Sequence, residues 1–316
     1  MHLQLGDAYV KNNEYSQAIL HYLTSCSNDT SFFVSKQLAL CYDKLDKTDT
    51  AIYYYYKTLN LQPQDFNSAH RLANIHLKNN NIIPALNVIS NYLLYDSNNV
   101  KMLALNGYIH YQNKAFVEAL KLFEKCLYLN DTSDFTKRYL GYCYFETHNY
   151  NKAKTYLEQA YEYDTNSIIL CYTLGLACHY ALYGHLAIDY LNKTLALTIP
   201  SSEFVSRIYQ DLAAAQTGIY KHTDALDCYL KALELTPDDT LLVFKIASQY
   251  DKFLQDKPMA IKYYQSFMQT RPEDKSSHPT INDAHGLKVS YYDIAQRRIK
   301  ELKEEIFMQG KNHKNN

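Results

Sequence analysis

The stretch LGYCYFETHNYNKAKTYLEQA, residues 140–160, holds the plan of most of the chain. Leu140 and Gly141 stand a bulky apolar residue beside a small one, and twelve residues after Gly141 comes a second small residue, Ala153, with Leu157 four further on. Between them lies the polar hinge Thr147-His148-Asn149. Apolar residues on both sides recur at spacings of three and four, which predicts two amphipathic helices of about 13 residues joined by a tight turn. One small residue on each helix, where the pair crosses, lets the backbones come close.

Moving outward in both directions, the same arrangement returns. Aligned on the second small residue, the copies fall at Ala18, Ala51, Ala85, Ala119, Ala153, Ala187, Ala225 and Ala260, at intervals of 33, 34, 34, 34, 34, 38 and 35. Twelve residues earlier stand Gly6, Ala39, Ala73, Gly107, Gly141, Gly175 and Ala213, with Ala247 thirteen before Ala260. Four of the 8 glycines therefore occupy a single repeat site. Leu5, Leu38, Leu72, Leu140, Leu174, Leu212 and Ile246 precede the first small residue. Tyr22, Tyr55, Ile89, Phe123, Leu157, Leu191, Tyr229 and Tyr264 follow the second by four, and are expected to fill the layer between neighbouring hairpins. Gln62-Pro63, Thr236-Pro237 and Arg271-Pro272 end three of the second helices.

These residues, and above all Leu140 to Ala160 and Leu5-Gly6 through Tyr9, Tyr15, Ala18 and Tyr22, resemble the tetratricopeptide repeat (TPR). The resemblance implies an all-α, right-handed solenoid of about eight helix-turn-helix repeats over residues 1–274. Asn106, Tyr92, Phe267 and Gly184 depart from the pattern, and the third and fourth repeats are expected to pack less regularly. The 38-residue interval adds about four residues near Ser201 to Val205. It reads as a longer first helix or loop in the seventh repeat, or as a bend between sub-arrays of six and two. The extra residue near Gln255 to Pro258 reads as a longer turn.

Beyond the array, residues 275–284 read as a polar linker, 285–309 as a C-terminal capping helix and 310–316 as a flexible tail. The cap is inferred from the stripe Leu287, Tyr291, Ile294, Ala295, Ile299, Leu302 and Ile306, opposite Arg297, Arg298, Lys300, Lys303 and Glu304. Its acidic residues, Glu301, Glu304 and Glu305, weigh against a membrane-surface role. Met1 enters the first hairpin inside its first helix. An uncapped apolar edge is therefore expected there, through which the chain would self-associate.

Composition narrows the function. The 316 residues carry 32 Lys+Arg against 33 Asp+Glu, a formal charge of -1, so no whole-chain field attracts nucleic acid or an anionic membrane. An RNA-reading solenoid would need a strongly basic groove, and nucleic acid is not expected as a partner. No apolar run reaches the 18 residues or so of a membrane span, and Met1 to Val10 shows no secretory signal, which points to the cytoplasm. The 7 cysteines form no C-x-x-C pair and read as small core residues. Cys171 and Cys178, about 10.5 Å apart along one helix, are too distant to bridge. Catalytic and phosphate-binding motifs are absent and the 12 histidines are dispersed, so no enzyme, metal or cofactor is expected.

What the resemblance does imply is a partner. In such solenoids the stacked first helices line a concave surface that receives a protein or peptide. By register the candidate groove residues are Asn74, Lys78, Lys101, Tyr108, Tyr111, Phe135, Arg138, Tyr142, Phe145, Tyr172 and His179. Aromatic side chains there offer large contact area, with Lys101 and Arg138 available to a carboxylate. The family's clamp for acidic chaperone tails does not fit. Lys36 and Lys101 match two of its lysines, but Leu40, Arg71 and Leu105 stand where its other polar residues belong. The expected function is a non-catalytic scaffold or adaptor. The alternative is an oligomerising or regulatory subunit that uses the convex face or the N-terminal hairpin.

Overall fold

The computed structural model describes residues 1–25, 31–198, 201–270, 278–282 and 286–312, and these divide into two compact units, residues 1–147 and 148–316. The first holds α1 (His2–Lys11), α2 (Tyr15–Ser25), α3 (Phe32–Lys44), α4 (Thr48–Leu61), α5 (Phe66–Lys78), α6 (Ile82–Leu93), α7 (Val100–Gln112), α8 (Phe116–Tyr128) and α9 (Asp134–Glu146). Consecutive helices pair as antiparallel hairpins, α1 with α2 through α7 with α8, and α9 packs on α8 and α7. The second unit holds α10 (Tyr150–Tyr161), α11 (Ile168–Tyr180), α12 (Gly184–Leu197), α13 (Ser202–Gly218), α14 (His222–Leu235), α15 (Thr240–Lys252) and α16 (Lys257–Gln269). There α10 packs on α11, and α11/α12, α13/α14 and α15/α16 are hairpins. Each unit is an α-solenoid in which every helix buries its apolar stripe against its sequence neighbours.

Both ends of the first helices are set locally. Ser31, Asp65, Asn99, Ser133, Ser167 and Asp239 each accept a hydrogen bond from the backbone N–H three residues on, capping the helix that follows. All six stand eight residues before the first small residue of their repeat. In the seventh repeat that position is Val205, which cannot cap, and the helix continues back to Ser202. This explains why α13 has 17 residues where α11 and α15 have 13. The inserted residues became helix rather than loop. At the other end, Asn13, Asp46, Asn80, Lys114, His148, Leu182, Tyr220 and Gln255 all take positive φ, from 54° to 66°. At most of these turns the following N–H then reaches back five residues, as from Glu14 to Tyr9 O and from Asn81 to His76 O, which ends the helix in a Schellman turn; after Gln255 the Asp256 N–H reaches back six, to Tyr250 O. The fourth residue between α15 and α16, against three elsewhere, is the longer turn read near Gln255.

The small residues do what their register implies. A methyl group on Gly6 would stand 2.6 Å from Tyr22 Cε1, and one on Gly107 or Gly175 would stand 3.0 Å from Phe123 or Leu191. The bulky residue four after each Ala thus first covers the small residue of its own hairpin. Several tyrosines at that site also tie down a carboxylate. Tyr22 donates to Asp7 (2.6 Å), Tyr55 to Asp43 (3.2 Å) and Tyr264 to Asp251 (3.1 Å). Tyr92 and Phe267, placed where a small residue is usual, are buried too: Tyr92 packs on Phe66, and Phe267 stacks on Tyr292 with centroids 4.4 Å apart.

The C-terminal segment differs from its sequence reading. Thr280–Asn282 (β1) pairs antiparallel with Lys288–Ser290 (β2), within and just beyond the expected linker, and the helix expected from 285 starts at Tyr291 as α17 (Tyr291–Asn312). Leu287 is therefore outside the helix and exposed rather than part of its stripe. β-branched residues in both strands favour extended backbone, while Gly286 at φ 78° stands in the stretch between them. Tyr292, Ala295 and Leu302 are buried against α16. The rest of the linker, the tail from 313, the Arg271-Pro272 signal and Cys26 lie outside the described residues. The other six cysteines are free and buried.

Candidate peptide-binding surface

In the first unit, α3, α5, α7 and α9 present one side chain each at equivalent register. That row is Lys36, His70, Ala104 and Arg138; its two cations are already paired, and so is Arg71, one residue beyond His70. Lys36 Nζ lies 2.5 Å from Asp65, Arg71 Nη1 lies 3.1 Å from Asp43, and Arg138 Nη2 lies 2.8 Å from Asp134. Lys78 and Lys101 differ: among the described residues no carboxylate lies within ion-pair distance of either. Lys101 Nζ instead sits 5.9 Å from the Phe66 ring centroid. Burial, with help from Lys101 and Arg71, holds the His70 imidazole below its ordinary pKa.

Between α5 and α7 these side chains enclose a hollow of about 450 Å³ lined by Asp43, Phe66, His70, Arg71, Asn74, Lys78 and Lys101. A second hollow of about 480 Å³ continues it toward α9, where His70, Asn74 and Lys101 are joined by Val100, Ala104, Leu105 and Phe135, and by Ser133 and Asp131, whose carboxylate accepts from Thr136 Oγ1 and the Ser133 N–H. The shared residues make one open trough with a basic, polar end and an apolar end. Phe135, 41% exposed, is its aromatic wall. Asn74 Nδ2 donates to His70 O at 2.8 Å, which fixes the amide in the trough.

The aromatic row read from the sequence is mostly elsewhere. Tyr108, Tyr111, Phe135, Tyr139 and Tyr142 form a continuous set of ring contacts, from Phe135–Tyr139 at 4.7 Å to Tyr111–Tyr142 at 6.0 Å, with Phe123 beneath. Tyr142 is only 7% exposed, and burial pushes its phenol upward and that of Tyr111 up to about 12. These rings are the packing layer between α7 and α9. Tyr142 is a core residue rather than a groove residue, and Tyr108 and Tyr111 are half-buried. Phe145 is half-buried as well. Tyr139 escaped the sequence reading, although it stands two before the small residue, as do Leu105 and Arg71, and that position faces the preceding first helix.

Tyr172 and His179 belong to the second unit. Tyr172 donates to Asp211 at 2.6 Å and meets Phe204 edge-on at 5.3 Å. Burial raises the Asp211 carboxyl, against the lowering pull of the Tyr172 hydroxyl, Lys245, His179 and Arg207, and burial lowers His179. Both aromatic candidates are thus tied into that unit's own packing.

Residues 140–167 match the family model of the tetratricopeptide repeat. No curated protein matches the chain. Among solved structures, YrrB, described as a TPR protein with an unusual peptide-binding site, is similar at 18% identity and a TM-score of 0.55, over 60% of this chain and 95% of that one. The C-terminal part of a TPR repeat-containing protein from Cytophaga hutchinsonii is similar at 19% identity and 0.55, over 76% and 98%. A tetratricopeptide repeat protein from Parabacteroides merdae is similar at 13% identity and 0.51, over 78% and 97%. At these identities the likeness is one of fold.

Proposed function

We propose that this chain, a tetratricopeptide-repeat protein, is a non-catalytic adaptor that holds an extended acidic peptide of a partner protein in the trough of α5, α7 and α9. One observation carries the reading: Lys78 and Lys101 lack a carboxylate among the described residues while the neighbouring Lys36, Arg71 and Arg138 are each paired. Both face the trough that ends at exposed Phe135. A peptide carboxylate at the lysines and an apolar side chain against Phe135 would satisfy both ends. That YrrB is described as having a peptide-binding site is consistent with this use of the fold.

The test is selection of a random peptide display library on the full chain, followed by anisotropy titration of the enriched peptides. The expected outcome is a motif with Asp or Glu set a few residues from an apolar side chain. Its binding weakens with salt and falls at least about tenfold in Lys78→Glu/Lys101→Glu. Enriched peptides without acidic residues, or with affinity indifferent to that variant, end the reading. A second reading rests on Leu3, Leu20 and Leu23, which are exposed on α1 and α2 and support self-association through that hairpin. Sedimentation at rising concentration tests it, and a constant monomer mass refutes it.

A further inference from the structure

The turns between first and second helices change character along the chain. In the first unit they are polar: Asn12-Asn13-Glu14, Leu45-Asp46-Lys47, Asn79-Asn80-Asn81 and Asn113-Lys114-Ala115. In the second unit three of them read Ala181-Leu182-Tyr183, Ile219-Tyr220-Lys221 and Phe253-Leu254-Gln255-Asp256. Leu182 and Tyr220 hold the left-handed position, at φ 66° and 63°, which Asn tolerates better than a bulky residue. Leu182 is 91% exposed, and Tyr220, 85% exposed, gains only an edge-on contact with the His222 ring at 6.1 Å. A local preference is broken with little compensation inside the chain.

The three turns also touch. A methyl group on Gly184 would overlap the Ile219 side chain, so the glycine lets the first two turns close up. His222 lies flat on Phe253, with centroids 4.4 Å apart and planes at 14°, which joins the second to the third. Leu182, Tyr183, Tyr220 and Phe253 thus stand along one continuous exposed edge. Lys221 and Lys252 flank it, exposed and without a carboxylate partner among the described residues. Asp256 caps α16, accepting from the Met259 N–H at 3.0 Å.

We infer that this edge of the second unit docks on an anionic membrane surface. Leu182, Tyr220 and Phe253 enter the boundary between headgroups and acyl chains, and Lys221 and Lys252 meet the lipid anions. The shape favours a bilayer over a protein groove: the apolar groups are tips that project singly from turns, and a fluid surface receives such tips without a complementary hollow. Tyr suits the boundary because its ring is apolar and its hydroxyl wet. Lysine stems are long enough to keep the charge at headgroup level while the tips insert. The near-zero charge of the whole chain does not oppose this, since only charges within about 10 Å of the surface are felt. The inference does not depend on the peptide trough, which lies in the other unit.

The experiment is co-sedimentation of the full chain with vesicles of phosphatidylcholine alone and of phosphatidylcholine mixed with phosphatidylserine. The mixed vesicles are expected to bind at least about tenfold more tightly. Leu182→Asn/Tyr220→Asn, which suits the same backbone and is checked for folding by circular dichroism, should lose that binding. Lys221→Glu/Lys252→Glu should reduce it to the level of neutral vesicles. Absence of binding to the anionic vesicles, or binding unchanged in the Asn variant, overturns the proposal and leaves the edge as a protein contact.

Discussion

Arg298 donates to both carboxylate oxygens of Asp251, from Nε at 2.9 Å and from Nη2 at 2.8 Å. The pair has a counterpart in the first unit, where Arg71 donates to Asp43 at 3.1 Å. Asp43 and Asp251 each stand four residues after the small residue of their repeat, and each also receives a tyrosine hydroxyl. α17 therefore occupies the place that the first helix of a further repeat would take. The small residue of such a repeat would fall at 300, where Lys300 stands with its side chain 80% exposed. A lysine there leaves no seat for another second helix, which is how the apolar stacking ends.

Arg298→Ala should cost about 2 to 3 kcal/mol in urea unfolding, because the Asp251 side chain is only 3% exposed and would lose its cationic partner. Asp251→Ala/Arg298→Ala should cost less than the sum of the two single changes. Additive losses would show that the pair contributes no coupling.

The glycines separate packing from propensity. Gly107→Ala places a methyl 3.0 Å from the Phe123 ring and should destabilise by about 1 to 2 kcal/mol, although Ala is the better helix former. Gly218→Ala meets nothing within 4 Å and should stabilise by about 0.5 to 1 kcal/mol. Thermal melts of the two variants should move in opposite directions.

Leu182→Asn should raise the melting temperature, since it relaxes a left-handed residue that buries almost nothing. The gain should be about 0.5 to 1 kcal/mol. A lowered melting temperature would mean that the leucine packs in solution.

Acid should weaken the first unit through its histidines. Burial holds His76 below its ordinary value of 6.5, and burial, then Lys101 and Arg71, does the same for His70. The unfolded chain then takes up protons first as pH falls. The stability contributed by the neutral rings is complete above 6.5 and is lost as pH falls from there toward the depressed folded values. Urea midpoints at about pH 7.5 and about pH 5.5 should differ for the wild type and differ less for His76→Gln, which removes one of these titrations.

Much of the fold was legible because close helix crossings admit only Gly or Ala, and that demand recurs once per repeat. The six capping residues eight positions upstream were equally legible, and they would have shown that α13 must lengthen where Val205 replaces one of them. The trough was harder to read. Register places Tyr108, Tyr111 and Tyr142 on the concave side, but whether a ring faces solvent depends on its neighbours' size, and Tyr139 together with Phe135 closes over them. Pairing was hidden for a similar reason. Lys36 and Asp65 are 29 residues apart and meet only through the stacking of hairpins. The β1/β2 pair lies outside the repeat, so no periodicity announced it.

The buried cysteines have a consequence for watching the molecule breathe. Cys41, Cys126 and Cys143 lie in the first unit and Cys171, Cys178 and Cys228 in the second, all of them buried. Burial pushes Cys41 up to about 11 and Cys126, Cys143 and Cys178 up to about 12, so even a briefly wetted thiol is slow to react until its helix pair opens. With Cys26 changed to Ser, labelling each thiol in turn converts the core into six clocks that record how often one stretch of the array opens while the rest stays shut.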